Sequence, residues 1–481
     1  MKKIAIICYY DLKEYLIHIK EYLIEFLYEV IHYPLFKNAY DANDKINNYK
    51  EDLANFVLKN NVDIVIWWFL DVPPDVFKYV KEKNKNTFFI MYNSDDPCNV
   101  NEITFEKIKI FNMILTPCKE YLEKYKRIGG IKHVHFITPG YEPSIYFPCQ
   151  KDEIDDKYVC DISMICYNLY DDKFFNQYIP RKTLINDIIE YCKKNKKIFK
   201  IFGPDTMKTL YPDNYVDDIE YINKYKLYSS SKINIVTHPF CNKQLSLNGE
   251  EIPVLACKGL LLMDKIKSHE EIFINMNNCV ILEKDTYINQ INSILDMYNS
   301  NLKKINEIKN NGFKTASNYT WKLWVKNIHT YICELFFNEK LYAELYNHKT
   351  TDRNKLKLHW LSKGINNKEI CYDFNVPNEF NHKDYAASNN LDPETNIKKL
   401  YFHWYTNSRD IAYITDKKNQ TINTSELNTN MEQYFMICTA LNGIRDYKNR
   451  DSSLNNLNIL CKNNPGVKIN NILKSYLSFC D

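Results

Sequence analysis

Strands that are apolar on both faces constrain this chain more than any other feature. "KIAIICYY" (residues 3–10), "VDIVIWWF" (62–69), "TFFIMYNS" (87–94), "MILTPC" (113–118) and "HVHFITPG" (133–140) are separated by amphipathic stretches, the first of them helical over 14–29. Such strands must be covered on both sides, and helices between successive strands make the sheet parallel. Residues 1–148 are therefore expected to form one α/β unit. After a segment with two prolines and a charge cluster (141–157) the pattern resumes with "VCDISMIC" (159–166), "IFKIFG" (198–203), "KINIVTH" (232–238), "LLLM" (260–263) and "CVIL" (279–282). Helical patterns follow over 287–311 and 318–337. The expected fold class is α/β: two Rossmann-like, doubly wound domains, 1–148 and 149–340, facing a cleft at the carboxyl ends of their strands.

The bulk properties exclude several classes of function. A chain of 481 residues has room for roughly two to four domains. Its charge of +3, from 63 basic and 60 acidic residues, gives no broad positive field for nucleic acid or acidic membranes, so no nucleic-acid partner is expected. No uncharged apolar run approaches the roughly 18 residues of a transmembrane segment, and Asp11 interrupts the N-terminal apolar run, which reads as a strand and not as a signal peptide. Fifteen scattered cysteines without a C-x-x-C pair fit free thiols in a reducing compartment, which makes a cytoplasmic location the expectation.

Beyond residue 340 the pattern changes. "KLYAELYNHKTTDRNKLKLHWLSKG" (340–364) and "KDYAASNNLDPETNIKKLYFHWYTNSRD" (383–410) share a Tyr-Ala pair, a polar spacer and a His-Trp pair, His359-Trp360 and His403-Trp404. Two copies are too few for a solenoid. Residues 341–414 are expected to form a small helical appendage in which these pairs pack. A polar linker and terminal helices (431–441, 469–479) are expected within 415–481.

Residues 247–264, "LNGEEIPVLACKGLLLMD", preceded by "YSSSKINIVTHPF", resemble the glycosyltransferases related to the spore-maturation protein CgeB. That family has an Asn, a helix ending in Ala-Cys-Gly-Gly, and an apolar strand ending in Thr-Asp or Thr-Asn. "YNSDDP" (92–97), "GYEPSIYFP" (140–148) and "IPRKTLINDI" (179–188) match its Asp-Asp-Pro loop, interdomain turn and Arg-containing helix start, so the resemblance spans about residues 1–335. It implies a GT-B fold with the nucleotide-sugar donor on the second half, the acceptor on the first and a last helix returning to the first. The chain departs from the family at three positions. Pro253 stands where a glutamate is expected, Glu250 where an arginine is common, and Lys258 replaces the first of the two glycines.

Sugar transfer from a UDP- or GDP-sugar leaves negative charge on the departing diphosphate. GT-B enzymes typically hold it without metal; with no Asp-x-Asp pair, no His-Glu-x-x-His and no zinc spacing among the thiols, neither a metal nor a resident cofactor is expected. A helix N-terminus and cations would substitute. Asn248 and Glu251 have capping-box spacing, so a helix is expected to start at Asn248 with its free amides facing the cleft, which makes Asn248, Gly249 and Glu251 donor-binding candidates. Arg181, Lys182 and Lys243 are candidate phosphate ligands, each with a plainer reading as a solvated charge. Glu250 is expected to supply the carboxylate missing at Pro253, one turn earlier; alternatively, Glu250 and Glu251 only complement the helix dipole. His238 ends a strand within reach of the donor or serves as a structural hydrogen-bonder. Gly203 allows a close backbone approach to the base or makes a turn.

An inverting enzyme also needs a base for the acceptor hydroxyl. Asp95 is the first candidate and Asp96 the second, with Asp71, Tyr10 and Asp11 at neighbouring strand ends. Trp67 and Trp68 are expected in the core and cleft wall. The leading expectation is a glycosyltransferase acting on a glycan, protein or small-molecule acceptor. The rivals are a catalytically silent glycan- or protein-binding relative of the same fold and a nucleotide-sugar epimerase of the same architecture.

Overall fold

The computed structural model describes residues 1–8, 14–35, 49–68, 74–93, 106–169, 177–238, 247, 249–377 and 380–407. Asp95, Asp96, Asp71, Tyr10, Asp11, Lys243 and Asn248 lie outside these, as do the expected linker and terminal helices after residue 414. The chain divides into two compact units, Met1–Val376 and Pro377–Asp481.

The first unit holds two parallel sheets of six strands each. In the first sheet the strands are β1 (Lys3–Cys8), β2 (Glu29–Pro34), β3 (Ile64–Trp67), β4 (Phe88–Tyr92), β5 (Met113–Thr116) and β6 (His133–Phe136), in the order β2-β1-β3-β4-β5-β6. The second is built from β7 (Cys160–Ile165), β8 (Phe199–Phe202), β9 (Tyr215–Asp217), β10 (Ser231–Val236), β11 (Leu261–Asp264) and β12 (Val280–Leu282). Its order is β12-β11-β10-β7-β8-β9. Counted from β7, that is the 3-2-1-4-5-6 order of dinucleotide-binding domains, with the connections changing direction between β7 and β10. The central strands are sealed on both faces, as apolar residues on both sides require: every residue of β3 and β11 is buried.

Two strands were not legible as strands. The helical pattern expected over 14–29 ends at Glu25, Leu27 takes φ 65°, and Glu29–Pro34 becomes the edge strand β2. Only Val30 and Tyr33 of β2 are buried, because an edge strand bonds on one side and tolerates the polar residues and proline that mask its pattern. The three-residue edge strand β9 escaped for the same reason. The expected helix 287–311 is two helices, Tyr287–Ser300 and Leu302–Ala316, broken at Asn301, whose side chain caps the second through the Lys304 amide.

The chain crosses between the halves twice, and the crossings are bonded to each other. The Tyr141 amide donates to the Tyr319 carbonyl at 2.9 Å, and the Trp321 amide donates to the Tyr141 carbonyl at 3.0 Å. The helix Trp321–Phe336 then returns to the first half, where Trp321 stacks on Tyr15 at 4.8 Å and His329 Nδ1 meets the Tyr28 hydroxyl at 2.9 Å. At this double crossing a Cβ on Gly140 would lie 2.7 Å from the Thr320 carbonyl carbon and the Trp321 nitrogen. Both are backbone atoms and have little room to yield. Gly140→Ala is expected to cost about 1–3 kcal/mol in urea unfolding; an unchanged midpoint would show that the crossing is loosely packed.

The boundary between the compact units falls between the two copies of the His-Trp repeat. In the first copy, helices Glu339–Leu345 and Arg353–His359 bring the Tyr342 hydroxyl to 2.9 Å from His359 Nδ1. In the second, helices His382–Ser388 and Ile397–Asn407 bring Tyr385 to 2.7 Å from His403 Nδ1. Trp360 and Trp404 are buried, so each copy of the repeat closes a helical hairpin.

Candidate functional site

The carboxyl ends of both sheets meet. Past β5, the Lys119 amide donates to Ser268 Oγ at 3.2 Å, Lys119 pairs with Glu271 at 2.6 Å, and Glu120 accepts from the Ser268 hydroxyl. Ser268 and Glu271 follow β11, so this seam lies where open parallel sheets place their ligand crevice.

In the second half, the direction change between β7 and β10 is built around Arg181. It opens the helix Arg181–Asn195 and is only 3% exposed. Its Nε donates to Thr237 Oγ1 at 2.9 Å, one terminal nitrogen to the Thr237 carbonyl and the other to the Asn168 carbonyl, both at 2.7 Å. The candidate phosphate ligand is thus neither a solvated charge nor aimed outward but a buried clamp that joins the chain leaving β7 to the chain leaving β10. Its charge also works against burial at Cys166, whose thiol burial nonetheless pushes up. Lys182, beside it, is exposed. Gly203, just past β8, has φ 148°, and a Cβ there would come within 2.3 Å of the Cys166 carbonyl oxygen. The close approach it permits is therefore to the chain leaving β7.

One residue after Thr237, His238 is held between two acids. Its Nδ1 lies 2.5 Å from Asp264 Oδ1, its Nε2 is bonded to Glu251 Oε1, and its amide donates to Asp264 Oδ2 at 3.3 Å. His238 is 1% exposed and both acids are fully buried. Burial alone would lower the imidazole pKa, but the two carboxylates outweigh it and push it up to about 10. His238 is therefore an imidazolium at neutral pH, held between the two acids.

The helix expected to start at Asn248 starts at Glu251 and ends at Ala256. The capping geometry differs accordingly: Glu251 accepts from the Gly249 amide at 3.0 Å with one oxygen and reaches His238 with the other. The stronger demand of the buried imidazolium decides where this carboxylate points. A six-residue helix also offers a weaker dipole than the expected longer one. Pro253 is its third residue, where the missing N–H has no intrahelical acceptor to lose. Lys258 takes φ 52°, the left-handed conformation that explains the glycine usual at this helix end. Its amide still bonds the Leu255 carbonyl at 3.0 Å.

Glu250 points away from this triad. Lys224 Nζ lies 2.7 Å from its Oε1, the Tyr228 hydroxyl donates to its other oxygen, and its side chain is 17% exposed. Burial works against the Lys224 charge, yet Glu250 outweighs it and the lysine pKa is raised. Glu250, Tyr228, Ser163 and Asn234 line a small cavity between β7 and β10, of about one water's size. Trp68 is walled in by Tyr92 at 4.6 Å and Trp324 at 5.3 Å, which makes it core. Among the described residues, no group of three or more His, Cys, Asp or Glu side chains is arranged to hold a metal ion.

Sequence reasoning found His238 and Glu251 but missed their third partner, Asp264, and the neighbouring His269. An acid ending a strand as apolar as "LLLMD" was the available signal for Asp264, since a carboxylate there must be buried and therefore paired.

No family model matches the sequence, and no curated protein matches it. Solved structures do resemble the fold. A sucrose-phosphate synthase from Thermosynechococcus elongatus superposes with a TM-score of 0.51 at 11% identity, over 70% of this chain and 99% of that one. A glycosyltransferase from Rickettsia africae gives 0.51 at 14% identity, over 69% and 98%. Anabaena HepE, in complex with UDP and glucose, gives 0.51 at 9% identity, over 69% and 100%. In fold, then, this chain is similar to the GT-B glycosyltransferases.

Proposed function

We propose that the protein is a metal-independent glycosyltransferase of the CgeB-like kind, moving a sugar from a UDP- or GDP-sugar to a hydroxyl of a glycan, protein or small-molecule acceptor. The observation that carries this reading is the pair of open parallel sheets meeting at their carboxyl ends, the second in dinucleotide-binding order. The donor lies at the direction change between β7 and β10, as the fold of the HepE complex with UDP suggests by analogy. The acceptor oxygen attacks the anomeric carbon, the bond to the diphosphate oxygen breaks, and its electron pair leaves with the diphosphate. Asp95, or failing it Asp96, takes the acceptor proton.

Arg181 favours the departing charge through a low-dielectric interior, where a fixed cation acts over a longer distance than in water. Lys243, Asn248 and Gly249 belong to the segment that would reach the diphosphate. The triad of His238, Glu251 and Asp264 pins the ends of β10 and β11, so the site does not reorganise as charge develops. Glu250, the carboxylate that reaches solvent, accepts from a donor hydroxyl. Buried free thiols, Cys160 and Cys257 among them, suit the cytoplasm.

Titration calorimetry with UDP, GDP and their sugars tests this directly. Binding of one nucleotide is expected, and Glu250→Gln should weaken it by about tenfold, or about 1.4 kcal/mol. An unchanged dissociation constant would leave Glu250 as a partner of Lys224 alone, and absence of binding to every nucleotide would remove the donor site. A catalytically silent binding protein is the second reading, favoured by the engagement of all three Arg181 nitrogens with the chain itself and by Pro253 in the helix. Nucleotide binding without turnover of any sugar nucleotide would select it.

A further inference from the structure

We infer that His269 is a sugar-binding residue, one that hydrogen-bonds a hydroxyl of a neutral sugar in the crevice between the two halves; the inference rests on the glycosyltransferase reading. His269 is fully buried, and neither ring nitrogen has a hydrogen-bond partner. The other fully buried histidines of the first unit are satisfied, His238 by two carboxylates and His329 by the Tyr28 hydroxyl. Buried polar side chains left unpaired are rare and costly, and one at a ligand crevice points to a group supplied from outside the chain.

Its position fits that explanation. His269 closes the short turn Lys267–His269 just past β11. Its ring lies 5.6 Å, centroid to centroid, from Phe136 at the end of β6 in the first half. Ser268 beside it is the residue that bonds Glu120 and Lys119 across the seam. The imidazole thus sits where the carboxyl ends of both sheets converge.

The chemistry of the occupant follows from charge. Burial pushes the His269 pKa down to about 3, so the ring is neutral and presents one N–H donor and one lone-pair acceptor. Glu251 and His238 act on it electrostatically from the second half and Lys119 from the first. Two acids, Glu251 and Asp264, flank His238 in that cluster, an arrangement that does not favour a phosphate at this spot. A hydroxyl both donates and accepts, matches the neutral ring and brings no charge. Carboxylates and phosphates, which only accept, would leave half the imidazole unpaired.

His269→Phe in the full chain tests the inference, because it keeps a ring of similar shape and deletes only the two nitrogens. A structural role requires partners within the protein, so a structural histidine would lose stability on this change. The inferred role predicts a melting temperature unchanged or about 2 °C higher. UDP affinity should stay within about twofold, while the additional affinity of UDP-glucose, UDP-galactose or UDP-N-acetylglucosamine over UDP falls by about tenfold, one hydrogen bond to a neutral group being worth about that factor. In parallel, ring 15N resonances of the wild-type protein are followed during titration with free glucose, galactose and N-acetylglucosamine. Loss of response to free sugars in the variant, with the UDP-sugar increment intact, assigns the hydroxyl to the acceptor and supports the inference. A lower melting temperature with all sugar responses intact overturns it, as does equal weakening of UDP and UDP-sugars. If wild type binds no sugar nucleotide, the donor reading fails by itself. The resonance titration then decides the role of His269: a shift from a free sugar upholds it, and no shift overturns it.

Discussion

Replacing His238 by phenylalanine is expected to destabilise the protein by about 3–5 kcal/mol, the loss typical when one member of a buried ionic group is removed. Glu251 and Asp264, both fully buried, would then lose the imidazole that bonds them both. The same bond predicts a pH signature. The folded-state pKa of His238 is raised from 6.5 to about 10. A raised histidine pKa contributes stability that is complete below the unfolded value and is lost as pH rises through the folded one. Between pH 6.5 and about 10, wild type should therefore lose about 1.4 kcal/mol per pH unit relative to His238→Phe. Urea unfolding of both proteins across that window measures it. Parallel pH profiles would mean that His238 is neutral in the native protein and that the two acids are held by protons of their own.

Trp360→Ala is expected to cost about 3–5 kcal/mol, as other buried tryptophan truncations do. Trp360 is fully buried, its Nε1 donates to the Glu369 carbonyl at 2.9 Å, and its ring packs 5.8 Å from that of His329 on the returning helix. A Cβ on Gly364 would come within 2.7 Å of the tryptophan ring, so the indole is enclosed on that side too. Because His329 also bonds Tyr28 of the first half, the cavity left by the indole loosens the helix that joins the halves. Any sugar-transfer activity is expected to fall along with stability. A change in unfolding free energy below about 1 kcal/mol would mean that residues 341–376 contribute little to the unit they pack in.

These two sites differ in how much the sequence disclosed. The His-Trp repeat was legible because its chemistry is local: a tyrosine and a histidine 17 residues apart in one copy and 18 in the other close a hairpin of neighbouring helices. That the unit boundary falls between the copies was not legible, since it depends on what Trp360 packs against. In the second half, His238, Glu250, Glu251 and Arg181 all stood out, but their assignments rested on exposure. Arg181 and Glu251 are both candidate donor-binding residues in the sequence, with a solvated charge and a helix cap as their plainer readings. Both are buried, and each side chain turned to the strongest partner that folding brought within reach.

The alternation of strands and helices, the apolar character of β1, β3, β4, β7, β10 and β11, and hence the two doubly wound sheets were determined by the sequence alone. Burial on both faces leaves a mark at every position of a strand, with no reference to distant residues. Tertiary structure alone decided strand order, the edge strands β2 and β9, and the partners of every buried charge. His238 meets Asp264 from 26 residues away, and neither ring nitrogen of His269 meets a hydrogen-bond partner. Such pairings depend on three-dimensional distance and on the low dielectric of the interior, and neither quantity is written into residue spacing.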